Sequence, residues 1–491
     1  MKANWLSVPL SAALVLSLAA CGGTPDAAPS PSPSAGAADD AAVTQVVLSD
    51  SGIMVDGASA STDPASAVYT GAGIVYYEDG HDETYGEGGQ EDAHTAEEAA
   101  AHTVVTITQP GVYRVSGTLS AGQLAVDLGE GAEEDPEAVV TLILDGADIT
   151  CTVAPAVIFY RVYECASADS ETASATVDTS AAGANVILAD GSENNITGSY
   201  VAKIYQEGTD KKLHKYDGAF YSKMSMNLNG GEEGTGTLNI IADNEGLDSE
   251  LHLTINGGNI AIQSQNDGIN TNEDGVSVTT VNGGKLYINA GLGEEGDGID
   301  SNGWLVINGG EIVSLANGRT GDGGLDSDLG IVLNGGYILA LGSRSDPIDS
   351  TSAQASLNWS LADVQEGGSI LIINDSEGKE LLSYTTEKEY SSVVFSAPEL
   401  TADGSYTLTV DGEEQQNMGQ GGRGGPGGQP PRDLPEGAQP PDGQRPERPD
   451  GAQPGERPQR PDGAQPPEDM KGQTPPQSTG EVSPAPVEEQ S

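Results

Sequence analysis

The triplet Asn-Gly-Gly begins at positions 229, 256, 282, 308 and 334, at intervals of 27, 26, 26 and 26 residues. Short alternating apolar segments flank it, such as Leu251, Leu253 and Ile255 before one copy and Ile260 with Ile262 after it. Alternation at period two marks a strand with one buried face, and Asn-Gly is turn chemistry that tolerates a positive φ. One hairpin would satisfy one copy; five copies in step need a structure that repeats in space. A second mark recurs between the turns: Gly246-Leu247-Asp248-Ser249, Gly268-Ile269-Asn270-Thr271, Gly298-Ile299-Asp300-Ser301, Gly324-Leu325-Asp326-Ser327 and Pro347-Ile348-Asp349-Ser350. Units of 22 to 30 residues, each with three apolar points, predict an all-β chain wound as a parallel β-helix. A nonapeptide β-roll would show a nine-residue Gly/Asp period, and a leucine-rich repeat a Leu ladder with helical halves. Neither is present.

Residues 43–368 are assigned to this solenoid, with looser strand signals at Val105-Ile107, Leu142-Leu144, Val157-Phe159 and Val186-Leu188. Residues 369–411 lack the repeat marks and read as a small terminal β element with strands at 370–373, 393–395 and 406–410. Such an element would cover the unpaired strand groups of the last coil. The ends differ in kind. Residues 1–20 carry one cation, Lys2, and then an apolar run too short to span a bilayer, the layout of a secretory signal. The run ends Leu18-Ala19-Ala20-Cys21-Gly22, which resembles a bacterial lipoprotein box; that resemblance implies cleavage before Cys21, acylation of its thiol, and a protein anchored by lipid outside the cell or towards the wall. Residues 21–42 read as a disordered Ala/Ser/Pro stalk. The tail 412–491 holds 17 of the 28 prolines and repeats Arg-Pro-Asp-Gly-Ala-Gln-Pro, so it is expected to be disordered.

There are 75 acidic against 20 basic side chains, so the net charge is 20 − 75 = −55. The tail contributes 7 − 14 = −7 of this and the remainder −48. A surface so acidic repels nucleic acid phosphates, which excludes polynucleotide binding. Cys151 and Cys165 are an even pair in an exported chain, where a disulfide is permitted and two thiols are the alternative. Five dispersed histidines offer no zinc spacing.

The run Tyr216-Asp217-Gly218-Ala219 with Ser222-Lys223, the Asn-Gly-Gly turns, the Asp-Gly-Ile-Asp/Asn marks and Leu188-Ala189-Asp190-Gly191-Ser192-Glu193-Asn194 together resemble the bacterial carbohydrate-binding β-helix proteins of the cellulosome-associated Clostridium type. The segment 391–400 resembles that family's C-terminal element. The resemblance implies a right-handed parallel β-helix of pectate-lyase-like shape, bound calcium, and affinity for acidic sugars and cellulose-like polymers. Gly198 stands where the family tends to have an acid.

The repeat itself places Asp248, Asn270, Asp300, Asp326 and Asp349 at one position of successive coils, with Asp267 and Asp297 close by. Coils lie ~4.8 Å apart, so these carboxylates repel one another unless a cation sits among them. Calcium, a hard ion that takes six to eight oxygens, is the natural cofactor. The alternative is that the acids only make solvated Asx turns. Calcium would reverse the local sign and let a sugar carboxylate bind. Trp304 alternates outward from Leu305 and offers a platform for a sugar ring, with Ser249 and Ser301 as polar donors beside it. Lys223, next to Ser222, is both a binding candidate and the best base for a lyase. The expected function is calcium-dependent, non-catalytic binding of polysaccharide by a monomer, of acidic sugars such as polygalacturonate first and of cellulose-like polymers besides. A pectate-type lyase and a calcium-stiffened adhesin are the alternatives.

Overall fold

The computed structural model describes residues 43–72, 74, 96–200 and 216–419. The signal peptide, the stalk, Cys21 and the tail from residue 420 lie outside the described residues. The described part is all-β, and the strands of its repeating part fall into three in-register parallel ladders. The first runs Ala184–Leu188, Met226–Asn229, His252–Ile255, Val278–Val281, Trp304–Ile307 and Gly330–Leu333. The second runs Glu193–Gly198, Thr237–Ala242, Asn259–Ser264, Lys285–Asn289, Glu311–Leu315 and Tyr337–Gly342. The third runs Thr103–Ile107, Gly122–Asp127, Val157–Arg161, Gly218–Ser222, Glu245–Ser249 and Ile269–Thr271. Bridges from Ile269 to Ile299 and from Ile299 to Leu325 extend it.

The chain visits third, first and second ladder in that order once per sequence repeat. Every other side chain of each strand therefore faces one shared interior. Val186, Leu228, Ile255 and Ile307 from the first ladder meet Ile240, Ile262 and Ile288 from the second and Phe220, Leu247 and Ile299 from the third, all fully buried in one core.

The Asn-Gly-Gly corners work differently from the expectation. Positive φ belongs to the second glycine, not the asparagine: Gly231, Gly258, Gly284, Gly310 and Gly336 lie at φ 76° to 103°, a region that costs a Cβ-bearing residue energy. The asparagines keep negative φ and are freed for side-chain bonding.

The C-terminal element is larger than its three expected strands. Tyr390–Ser396, which contains 393–395, does not join the other two. It pairs antiparallel with Tyr337–Gly342 of the second ladder and with Ser356–Gln365, a strand that falls inside the stretch assigned to the solenoid. Ile370–Asp375, Glu380–Thr385, Tyr406–Val410 and Glu413–Glu414 form a separate four-stranded antiparallel sheet. The last hairpin turns at Asp411 (φ 50°) and Gly412 (φ 84°), so order passes beyond residue 411 through an Asp-Gly turn. A second core forms here, in which Val313, Leu339, Leu371, Phe395 and Leu408 are buried. Tyr287 and Tyr337 pack on that core, so these rings point away from the interior shared by the ladders and are covered by the terminal element.

Cys151 and Cys165 are both free thiols, so the permitted disulfide is not formed. Cys151 sits within the core, and burial pushes each thiol up to about 11. A reductant is accordingly expected to leave the melting temperature unchanged, and Cys151 to react with a thiol reagent only after denaturant is added. A fall in melting temperature on reduction would contradict this arrangement.

Candidate functional site

The third ladder sets three neighbouring rows. Leu247, Ile269, Ile299 and Leu325 point into the core, so the next residues, Asp248, Asn270, Asp300 and Asp326, face away from it. Three positions before Asp248, Asn270 and Asp300 stand Glu245, Asp267 and Asp297. Their strands are joined by amides of Gly246 and Gly268 donating to the carbonyls of Asp267 and Asp297, each at 3.0 Å. One position later come Ser249, Thr271, Ser301 and Ser327, turned inward again.

Although it faces away from the core, Asp248 is completely enclosed and Asn270 is 6 % exposed. The Asn272 amide donates to Asp248 Oδ1 at 2.6 Å, and the Asn270 amide donates to Asn272 Oδ1 at 3.2 Å. With Asp248 ionised, its Oδ2 and Asn270 Oδ1, on adjacent rungs, are buried and receive no hydrogen bond; Asp248 shares a side-chain hydrogen bond with Glu245 when one of the two carries a proton. Two orphaned acceptors side by side cost free energy unless something positive lies between them. Among the described residues no three His, Cys, Asp or Glu side chains converge as a metal cage; the orphaned pair is one carboxylate and one amide. Oxygen donors of this kind fit a hard cation such as calcium and not zinc or copper.

Acidities follow from this crowding. Burial, reinforced by the Glu245 charge, lifts Asp248 and Asp267 well above the usual carboxylate range. Burial raises Asp297 to about 7 and Asp300 to about 6, the latter helped by Asp328. Asp326 reaches about 8, through burial and then through hydrogen bonding with Asp346. Arg344 closes this end of the row, pairing with Asp326 and, at 2.8 Å, with Asp346. Asp267 and Asp297 each hold one backbone amide, of Asp297 at 2.6 Å and of Gly323 at 2.5 Å, which fixes their carboxylates along the ladder.

Asp349 does not continue the row. Ile348 bridges to Ile331 of the first ladder, because the chain leaves there for the antiparallel strand Ser356–Gln365. Its exposed carboxylate binds the Thr351 amide at 2.7 Å, which lowers its pKa. It does stand near Trp304: the place a Cβ would take on Gly330 is 3.5 Å from the Asp349 carboxylate and 4.0 Å from the Trp304 ring. Trp304 is half-buried on the outer side of its strand. Ser249 and Ser301 are not open to a sugar. Both are fully buried, and their hydroxyls donate to the carbonyls of His252 and Trp304, at 3.1 and 3.0 Å, holding the turn after each rung. Lys223 places its ammonium 6.0 Å from the Tyr216 ring centroid, a cation–π distance.

Sequence reading missed the start of the row. Tyr221 occupies the rung before Asp248 and donates to Glu250 Oε1 at 2.6 Å, while its ring meets Tyr216 edge-on at 5.3 Å. The signal was present, since alignment of Ser222 with Ser249 also aligns Tyr221 with Asp248. Asn272, just past the strand Ile269–Thr271, is the residue that ties Asp248 to Asn270.

The chain belongs to the carbohydrate-binding domain-containing protein family, whose pattern matches residues 101–377. A carbohydrate-binding domain-containing protein of Acetivibrio thermocellus is 32% identical over 161 residues, 33% of this chain and 45% of that relative. The match thus spans less than half the relative's length. Among solved structures, a gadolinium derivative of the polysaccharide lyase-like protein from C. thermocellum aligns at 20% identity and a TM-score of 0.34, covering 60% of this chain and 93% of that one.

Proposed function

We propose that the three ladders are the faces of one right-handed parallel β-helix, and that this monomer binds acidic polysaccharide through calcium without cleaving it. A lipid on Cys21 would hold it outside the cell. The observation that carries the reading is the pair of buried, donorless oxygens of Asp248 and Asn270 inside a row of carboxylates. Ladder order supports the winding, since each repeat passes the same three faces in the same sequence. Asp248 and Asn270 would hold the cation, with Asp300 and Asp326 further along the row. A bound calcium supplies the positive charge that draws a sugar carboxylate such as galacturonate to a surface otherwise strongly negative. Trp304 would then give the ring a face to rest on.

Pull-down of the full chain on polygalacturonate tests this, with calcium or with EGTA, while the absorbance of unsaturated chain ends is followed. Retention in calcium and its loss in EGTA are expected, with flat absorbance. Trp304→Ala should weaken retention about fivefold to tenfold, the scale of one aromatic contact of ~1 kcal/mol. Rising absorbance would replace the binder with a lyase. Retention indifferent to EGTA would remove calcium from the reading.

A further inference from the structure

The asparagines of the Asn-Gly-Gly corners stack on the outside as a second ladder. Asn256 donates to Asn229 Oδ1 at 3.0 Å, Asn282 to Asn256 at 2.8 Å, and Asn308 to Asn282 and Asn334 to Asn308 at 2.9 Å each. The first four of them line a groove of about 1750 Å³ that extends from Arg114 to Tyr337. Thr254 and Thr280 stand on one side and Lys285 and Glu311 on the other, and the floor is bare backbone at the paired glycines. This groove follows the corner between the first and second ladders, whereas the carboxylate row is carried by the third.

We propose that this groove is a separate carbohydrate site, which takes a neutral, extended, β-linked glycan chain laid along the asparagine ladder. The inference rests on the family's carbohydrate binding but not on calcium. A carboxamide has two N–H donors and two lone pairs. Each interior rung gives one of each to its neighbours, so the ladder leaves Asn256, Asn282 and Asn308 one donor and one acceptor each. Rungs recur every ~4.8 Å, close to the length of one sugar in an extended chain. A hydroxyl-rich polymer therefore meets a donor and an acceptor at every residue, in step. Glycines at the floor let it approach the backbone with no side chain in between. Anionic polymers are poorly served: Arg114 is paired with Asp145 at 2.9 Å and Lys285 with Glu311 at 3.0 Å, and the other charged groups lining the groove, among them Asp178, Asp190 and Glu232, are acids.

Gly257 allows a clean test. A Cβ there would meet nothing nearer than 3.7 Å, and the residue is not at positive φ, so Gly257→Leu obstructs the floor with little strain. Titration calorimetry of the full chain in EGTA with cellohexaose and xylohexaose, and with helical maltohexaose as control, reads the site. Both β-linked chains are expected to bind better than maltohexaose, and Gly257→Leu to weaken them at least tenfold while calcium-dependent retention on polygalacturonate is unchanged. Asn282→Leu, which cuts the ladder at an exposed rung, should do the same, with melting curves confirming that both variants are folded. Absence of β-linked binding in the wild type, or equal affinity in the folded variants, overturns the groove proposal. Loss of polygalacturonate retention alone bears on the carboxylate row and leaves the groove standing.

Discussion

In EGTA the melting temperature of the full chain is expected to fall as pH rises from about 5 to about 9, by on the order of 5–10 °C, and saturating calcium to remove most of that fall. Asp300, Asp297 and Asp326 are held near 6, 7 and 8 against an ordinary 3.8, and burial lifts Asp248 and Asp267 as well. A carboxyl whose pKa is raised by folding keeps its proton where the unfolded chain has already lost it. Its contribution to stability is complete below about pH 4 and disappears as pH climbs through the folded value. Unperturbed carboxylates have finished titrating by about pH 6, so the chain's general acidity does not produce a fall between 6 and 9. The crowded row does. Bound calcium would compete with those protons and supply the missing counter-charge, which would make the folded state insensitive to their loss. Asp326→Asn, neutral at every pH, should flatten the curve in EGTA while weakening the calcium response. Melting curves that are level from pH 6 to 9 without calcium would mean the row carries no frustrated charge, and the calcium reading would lose its physical basis.

Much of this row was legible because period and alternation are strong signals. The constant distance from Ser249, Ser301 and Ser327 to the next Asn-Gly-Gly fixes the alignment of Asp248, Asp300 and Asp326, and the mark Gly268-Ile269-Asn270-Thr271 adds Asn270 to the same row. The same alternation that turns Asp248 outward turns Ser249 inward, so a buried hydroxyl follows from the pattern that suggested a binding one. Asp349 failed for another reason. It bears the local motif, but no further Asn-Gly-Gly follows to hold its strand in place, and the chain crosses to the terminal element. Enclosure of Asp248 and Asn270 was not readable, because it depends on segments far apart in sequence meeting over the row. The asparagine ladder was hidden by success of another kind: turn chemistry already accounted for Asn-Gly-Gly, and a residue with one explanation hides a second.

The glycine that opens each Gly-Leu/Ile-Asp/Asn mark makes the last prediction. Gly268→Val is expected to destabilise the chain by about 3 kcal/mol, one of the largest losses any small-to-large core substitution should give here. Gly246, Gly268, Gly298 and Gly324 occupy one row of the third ladder, facing across the narrow interior to the second. A Cβ on Gly246 would come 2.4 Å from Ile262 Cγ2, on Gly268 2.2 Å from Ile288 Cγ2, and on Gly298 2.0 Å from Ser314 Oγ. At Gly268 the next obstacle is the Gly298 carbonyl at 2.6 Å, so rotation of Ile288 alone does not make room and the neighbouring rung must move. Close-packed interiors resist that movement. The missing side chain is what lets Ile262 and Ile288 reach across, and it explains why the mark begins with glycine although none of these four residues needs a positive φ. Gly257→Ala supplies the comparison, since its Cβ has 3.7 Å of clearance and should change stability by less than about 1 kcal/mol. Urea titration of both variants separates the two roles of glycine in one repeat. Equal stabilities would show that the row is filled by something other than contact between the ladders.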